Sequence, residues 1–252
     1  MGNIFGVEKV LDHLRNHQDS YLLIGGTATK IVLEENGFGF RETKDFDIVV
    51  LADASNDTFA SDLVNFLKAG NYQHGYSNGK RVCYRFVKPT IPGYPKIIEL
   101  FASQPNTSLN KYLKKIPILD DEEQLSAIVL KEELLSFAKQ RKTITKDGLP
   151  IIDGLGLIVL KTYAYFDNLE LYKNKMISGK TAFLKHRNDI IRLILSLNEN
   201  TQPIKLPNVL KERCISFIDV LEKSSDAYKS IPHGLVKLKE LVNIYRKVFC
   251  DK

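Results

Sequence analysis

Two aspartates separated by one residue, Asp45 and Asp47, have the types and spacing in this chain best suited to chemistry. They open the run 45–51, whose remaining residues are apolar and which is predicted to be a strand. Side chains two residues apart on a strand point to the same face. Two such carboxylates supply the hard oxygen ligands that Mg²⁺ prefers. The pair therefore predicts a site for one or two Mg²⁺ ions at a strand end.

A diglycine turn lies upstream, where Gly25, Gly26 and Thr27 follow the apolar stretch 21–24. Glycine leaves the neighbouring backbone N–H groups uncovered, so a phosphate can approach the main chain there. Metal-binding carboxylates that face such a turn indicate phosphoryl or nucleotidyl transfer. The competing interpretation is a solvated pair of aspartates at a strand end, because a D-x-D triplet also occurs often by chance.

A third acid, Glu99, is the one carboxylate in the run 96–101, which is predicted to be another strand. A carboxylate inside a buried strand costs free energy unless it is paired or bound to a metal. Glu99 is therefore predicted to share a cation with the two aspartates, or to act as a general base toward an attacking hydroxyl. The alternative is a strand-end glutamate that faces solvent.

These residues together resemble the nucleotidyltransferase superfamily, which includes DNA polymerase β and the aminoglycoside nucleotidyltransferases. Gly25-Gly26-Thr27-Ala28 and Thr43-Lys44-Asp45-Phe46-Asp47 are similar, more narrowly, to the AbiEii-type group. That group contains the nucleotidyltransferase toxins of abortive-infection, or type IV toxin–antitoxin, systems. Segments 157–164 and 185–190 agree with the same group.

The resemblance runs from about Tyr21 to Leu195 and departs from the compact superfamily pattern in the longer interval 27–44. It implies a Mg²⁺-dependent enzyme that moves an NMP from an NTP to an acceptor hydroxyl on tRNA or protein, with an antitoxin system as partner. It implies catalytic and metal-binding roles for Asp45, Asp47 and Glu99, and nucleotide-binding roles for Gly25, Gly26, Thr27, Lys161 and Asp189.

Lys161 interrupts the apolar helical stretch 155–164, where a buried ammonium needs a partner. Without a family, the simpler interpretation is a lysine whose stem lies along the helix and whose head reaches water. The resemblance implies instead that Lys161 faces the nucleotide phosphates and that Asp189 orients it or contacts the substrate. The plain alternative for Asp189 is an intrahelical ion pair with Lys185, four residues earlier.

The apolar periodicity predicts an α+β fold with two domains. Residues 1–130 are expected to form a small mixed-sheet nucleotidyltransferase domain with flanking helices. Its predicted strands are 21–24, 45–51, 81–87, 97–102 and 126–130, its helices 7–17, 27–35 and 57–69, and its polar loop 70–80. Residues 131–252 are expected to form a mainly helical domain that contributes phosphate and substrate contacts. Its predicted helices are 131–140, 154–168, 182–197, 208–222 and 235–248.

The composition favours a folded enzyme without a membrane segment. Of 252 residues, 44% are hydrophobic and 26% charged, and no run approaches eighteen apolar residues. The three cysteines are far apart and odd in number, which indicates neither a disulfide framework nor a zinc site and suits a cytoplasmic protein. The net charge of +6 favours anionic partners such as an NTP or RNA.

Two alternative functions are also compatible with the sequence. One keeps the fold but not catalysis, as a nucleotide- or RNA-binding protein; the three intact acids argue against it. The other is a small-molecule nucleotidyltransferase that modifies an aminoglycoside-like hydroxyl. That enzyme needs an acidic pocket for a cationic drug, whereas the lysine-rich C-terminal half of this chain suits an anionic acceptor better.

Overall fold

The computed structural model divides the chain into two compact units. It describes residues 4–51, 57–77, 80–102, 128–129, 131–198, 200–232, 234 and 236–251. The first unit comprises Met1–Glu35 with Gly39–Asp153, and the second comprises Asn36–Phe38 with Gly154–Lys252. In the described residues the first unit contains all the strands and the second consists of helices, so the fold is α+β as predicted.

The first unit is built on an eight-stranded mixed sheet. Its strands are β1 (Tyr21–Ile24), β2 (Asp45–Val50), β3 (Gln73–Ser77), β4 (Lys80–Val87), β5 (Ile97–Ala102), β6 (Ile128–Val129), β7 (Lys142–Ile144) and β8 (Pro150–Ile152). The strand order is β3-β4-β5-β2-β1-β8-β7, and β6 pairs with β5. Strand β2 runs antiparallel to β1 and parallel to β5. The rest of the predicted strand 126–130 lies outside the described residues.

The described residues of the sheet unit form helices α1 (Val7–Leu14, continued by a 3-10 turn at Arg15–His17), α2 (Gly25–Glu35), α3 (Asp57–Ala69) and α4 (Glu132–Gln140). Strand β1 is buried along its whole length. Such a continuous apolar strand is typical of the centre of a sheet that is covered on both faces. The core of this unit therefore lies around β1, which pairs with the strand that carries Asp45 and Asp47.

The second unit contains α5 (Gly154–Lys173), α6 (Thr181–Leu195), α7 (Asn208–Glu222), α8 (Ser225–Lys229) and α9 (Leu238–Phe249). Aromatic side chains pack edge to face in its core, with the rings of Tyr165 and Phe217 5.2 Å apart. Helix α5 buries Leu157, Ile158 and Val159 in succession, as expected of a helix enclosed by its neighbours. No helix in the described part of the chain is both long enough and apolar enough to span a membrane.

Two parts of the fold differ from the sequence-based expectation. The predicted loop 70–80 contains β3, which is held by antiparallel pairing with β4. The sheet unit also continues past the predicted boundary at residue 130 as far as Asp153, because Ile151 of β8 pairs with Leu23 of β1. Strands of three residues, such as β7 and β8, are too short to show an alternating pattern.

Candidate functional site

The three predicted acids lie on two neighbouring strands in register. In the parallel pair of β2 and β5, Asp47 lies directly opposite Glu99. Side chains of paired residues point to the same face of a sheet, and Asp45, two residues before Asp47, shares that face. The residues between them point the other way: Phe46 and Ile98 are fully buried, or nearly so. The acids therefore occupy the less buried face of these two strands.

The row of side chains continues on both sides of the acids. Ile24 of β1 pairs with Asp47, so the diglycine bend, Gly25 and Gly26, begins beside that aspartate. On the other side, Arg85 of β4 pairs with Glu99. Adjacent strands are about 4.8 Å apart. The order across the sheet is therefore Arg85, Glu99, Asp47 and the diglycine bend. The three acids Asp45, Asp47 and Glu99 are called the acid row below.

Gly25 allows the Asp47 carboxylate to lie against the main chain. Its φ is +69°, and a Cβ at this position would collide with Oδ2 of Asp47. Helix α2 starts at this glycine, two residues before the predicted start at Thr27. The first N–H groups of a helix have no acceptor within the helix, and its dipole favours a negative charge there. The bend therefore presents an electropositive backbone next to an acid.

Gly26 packs against the segment that leads into β2. A Cβ at this position would lie 2.9 Å from the hydroxyl oxygen of Thr43 and 3.9 Å from Nη2 of Arg41. Thr43 is buried, whereas Arg41 is exposed. An exposed guanidinium group therefore lies beside the diglycine bend.

Thr27 has a structural role that differs from the predicted phosphate contact. Its side chain is fully buried, and its hydroxyl donates a hydrogen bond of 2.7 Å to the backbone carbonyl of Asp45. The hydroxyl proton is thus committed to the protein itself. This hydrogen bond ties the first turn of α2 to the first residue of β2, and so helps to place Asp45.

Arg85 and Glu99 form an ion pair at the far end of the acid row. Nε of Arg85 is 3.4 Å from Oε1 of Glu99, and the two side chains are 41% and 24% exposed. Among the residues that the structure describes, no group of three or more His, Cys, Asp or Glu side chains is arranged to hold a metal ion. Glu99, which was predicted to complete such a group, is instead paired with the guanidinium group of Arg85.

Lys161 and Asp189 form a second ion pair, which lies within the helical unit. Nζ of Lys161 on α5 is 2.8 Å from Oδ2 of Asp189 on α6, and the side chains are only 6% and 3% exposed. Arg192 approaches Asp189 to 4.0 Å, while Lys185 is exposed. A buried charge requires such a partner. The pair joins α5 to α6, and its contact with a nucleotide stays a prediction.

Two cations near the acids were not identified from the sequence, Arg85 and Arg41. Arg85 and Glu99 are equally distant from the middle of the connection between β4 and β5, so a hairpin register would have paired them. Arg41 carries no comparable signal, because its position depends on the path of the chain before β2.

No protein-family model matches this chain, and a comparison with curated proteins finds no match either. The interpretation of the site therefore depends on the residues themselves and on their arrangement.

Proposed function

We propose that this chain is a Mg²⁺-dependent nucleotidyltransferase that moves an NMP from an NTP to an acceptor hydroxyl. The observation that carries the proposal is the pairing of Asp47 with Glu99, on the face that also holds Asp45, beside the diglycine bend at the start of α2. Carboxylates attract divalent cations, and a helix N-terminus attracts phosphate. A metal-bound triphosphate needs carboxylates for its cation and, next to them, a helix N-terminus for its phosphates.

The donor chemistry of the acid row fits Mg²⁺. Asp45, Asp47 and Glu99 offer only hard oxygen ligands and would hold one or two ions. When bound, Mg²⁺ neutralises charge on the triphosphate and lowers the pKa of an attacking hydroxyl. Without a cation, like charges on neighbouring strands repel one another, and Arg85 offsets part of that repulsion at Glu99.

The remaining residues of the site bind and orient the nucleotide. Gly25 and Gly26 leave the first N–H groups of α2 open to phosphate oxygens. Arg41, exposed beside this bend, adds positive charge toward the same phosphates. Glu99 would either share a cation or accept the proton of the acceptor hydroxyl. Positioning and electrostatics supply most of the rate enhancement in such a reaction.

The resemblance to the AbiEii-type group extends the proposal to its finer terms. The enzyme would act as the toxin of a type IV toxin–antitoxin system, with tRNA or a protein as the acceptor. Lys161 would serve nucleotide binding, and Asp189 would fix its ammonium group. The 2.8 Å contact between their charged atoms supports this positioning role for Asp189.

One observation favours a catalytically inactive nucleotide-binding protein as the second candidate. Glu99 is already engaged by Arg85 rather than grouped with the aspartates around a ready-made cation site. In such a protein the diglycine bend would bind phosphate, while Glu99 would have only a structural role in the sheet.

A labelling experiment separates the two candidates. The protein is incubated with each α-labelled NTP, Mg²⁺ and total cell extract, and the RNA and protein fractions are then separated. The proposal expects label from at least one NTP to enter one fraction, and chelation of Mg²⁺ to prevent it. Binding of each NTP to the protein is measured in parallel by calorimetry. NTP binding without incorporation in any fraction would support the inactive candidate, and the absence of both would overturn the proposal.

A further inference from the structure

Arg85 faces the acid row from the side opposite the aspartates. Strands β4 and β2 flank β5, so Arg85 and Asp47 adjoin Glu99 from its two sides. Glu99 therefore lies between a positive and a negative neighbour. A ligand of the Glu99 carboxylate therefore also experiences the positive charge of the Arg85 guanidinium group.

A glycine in the next strand leaves room for the side chain of Arg85. A Cβ at Gly75 of β3 would come within 3.0 Å of both Cγ and Cδ of Arg85. The arginine stem thus lies in the space that a side chain at residue 75 would fill. The stem of Arg85 therefore extends over Gly75, and its Nε lies 3.4 Å from Oε1 of Glu99.

The charges of the row explain what this contact does. Asp45, Asp47 and Glu99 carry three negative charges, and Arg85 offsets one of them at Glu99 by direct contact. A half-exposed ion pair of this kind is weak, because water screens it. A divalent cation beside Glu99 would gain the carboxylate but would be repelled by the guanidinium group.

We propose that Arg85 is a positioning residue that holds Glu99 in the cation-free protein and competes with a divalent cation for its carboxylate. The inference rests on the proposed function, since it concerns the same metal site. Glu99 joins a cation only when the contact with Arg85 opens, so Arg85 sets the concentration of metal at which the full set of acids is engaged.

The test measures metal affinity rather than activity. Mn²⁺ is titrated calorimetrically into the full chain at constant low ionic strength, without NTP, and wild type is compared with Arg85→Gln. We expect Arg85→Gln to bind Mn²⁺ about three- to tenfold more tightly, because one repulsive charge is gone. Arg85→Lys retains the charge and should stay close to wild type.

Arg246→Gln is the matched control. Arg246 pairs with Glu222 at 3.3 Å and is 46% exposed, close to the 3.4 Å and 41% of Arg85 in its pair with Glu99. Both residues lie on helices of the second unit. Arg246→Gln should leave the Mn²⁺ affinity unchanged. An equal gain in both variants would show a general charge effect and would overturn the inference.

A double-variant cycle tests whether Arg85 acts through Glu99. In a Glu99→Gln background, Arg85→Gln should lose at least half of its effect on Mn²⁺ affinity, counted as the logarithm of the fold-change. Unchanged or weaker binding in Arg85→Gln alone would overturn the inference while leaving the metal site intact. If Asp47→Asn binds Mn²⁺ as wild type does, the metal site of the proposed function fails instead. If neither wild type nor Arg85→Gln binds Mn²⁺, both proposals fail.

Discussion

Two ion pairs of this protein differ in their exposure to water, and the difference decides how firmly each pair is held. Arg85 and Glu99 are partly exposed on the sheet and 3.4 Å apart, whereas Lys161 and Asp189 are almost fully buried and 2.8 Å apart. Water screens the first pair, so it contributes little free energy and can exchange partners. The second pair has no such screening, so removal of one partner leaves a buried charge uncompensated. Burial therefore separates these two pairs: the pair on the sheet can exchange partners, and the pair between α5 and α6 is fixed.

The largest effect is expected at the buried pair. Asp189→Ala should lower the free energy of unfolding by about 3–5 kcal/mol, because the Lys161 ammonium loses its partner. Denaturant unfolding of the variant measures this loss. Asp226→Ala is the control, because Asp226 also forms an ion pair, with Arg187, but is 67% exposed. This substitution should lower the free energy of unfolding by less than about 1 kcal/mol. Similar losses in the two variants would end the contrast between buried and exposed pairs.

The next effect is expected at the diglycine bend. Gly25→Ala should cost about 1–3 kcal/mol from backbone strain at a positive φ, and its Cβ would also displace the Asp47 carboxylate. Gly37→Ala is matched to it, because Gly37 has a φ of +80° but its Cβ would meet nothing within 4 Å. Both variants should lose stability in thermal or denaturant unfolding, and only Gly25→Ala should also weaken Mn²⁺ binding. Equal metal binding in the two variants would contradict the close approach of Asp47.

A smaller effect is expected at Thr27. Thr27→Val removes the hydrogen bond to the Asp45 carbonyl while keeping nearly the same shape, and should cost about 1 kcal/mol. If Thr27 instead binds phosphate, Thr27→Val should weaken NTP binding without this loss of stability. Calorimetry with an NTP and denaturant unfolding together distinguish the two roles.

Elements with a clear apolar pattern are predictable from the sequence, and strands without one are not. Helix α3 and strand β5 have their predicted bounds, because their apolar periodicity extends over the whole element. Strands β3, β7 and β8 lack such a pattern, and pairing with their neighbours holds them in place. The domain boundary depends on these pairings, so it could not be read from composition alone.

The candidate site divides in the same way. The spacing of Asp45 and Asp47 is enough to place both on one face of a strand. The neighbours of Glu99 depend on strand order and register, which a local pattern does not encode. The partner of Lys161 lies 28 residues away on another helix, so no local pattern indicates Asp189, and only the resemblance to the AbiEii-type group pointed to it.

An isosteric substitution at Asp47 shows whether the acid row transfers a nucleotide, as proposed. Asp47→Asn removes a charge at the centre of the row, and Asp12→Asn removes one from a half-exposed aspartate on α1. Incorporation of α-labelled NMP is measured for wild type and both variants after each is shown to be folded. The account expects Asp12→Asn to match wild type and Asp47→Asn to lose at least about a hundredfold in rate. A folded Asp47→Asn protein that incorporates label at the wild-type rate would contradict it.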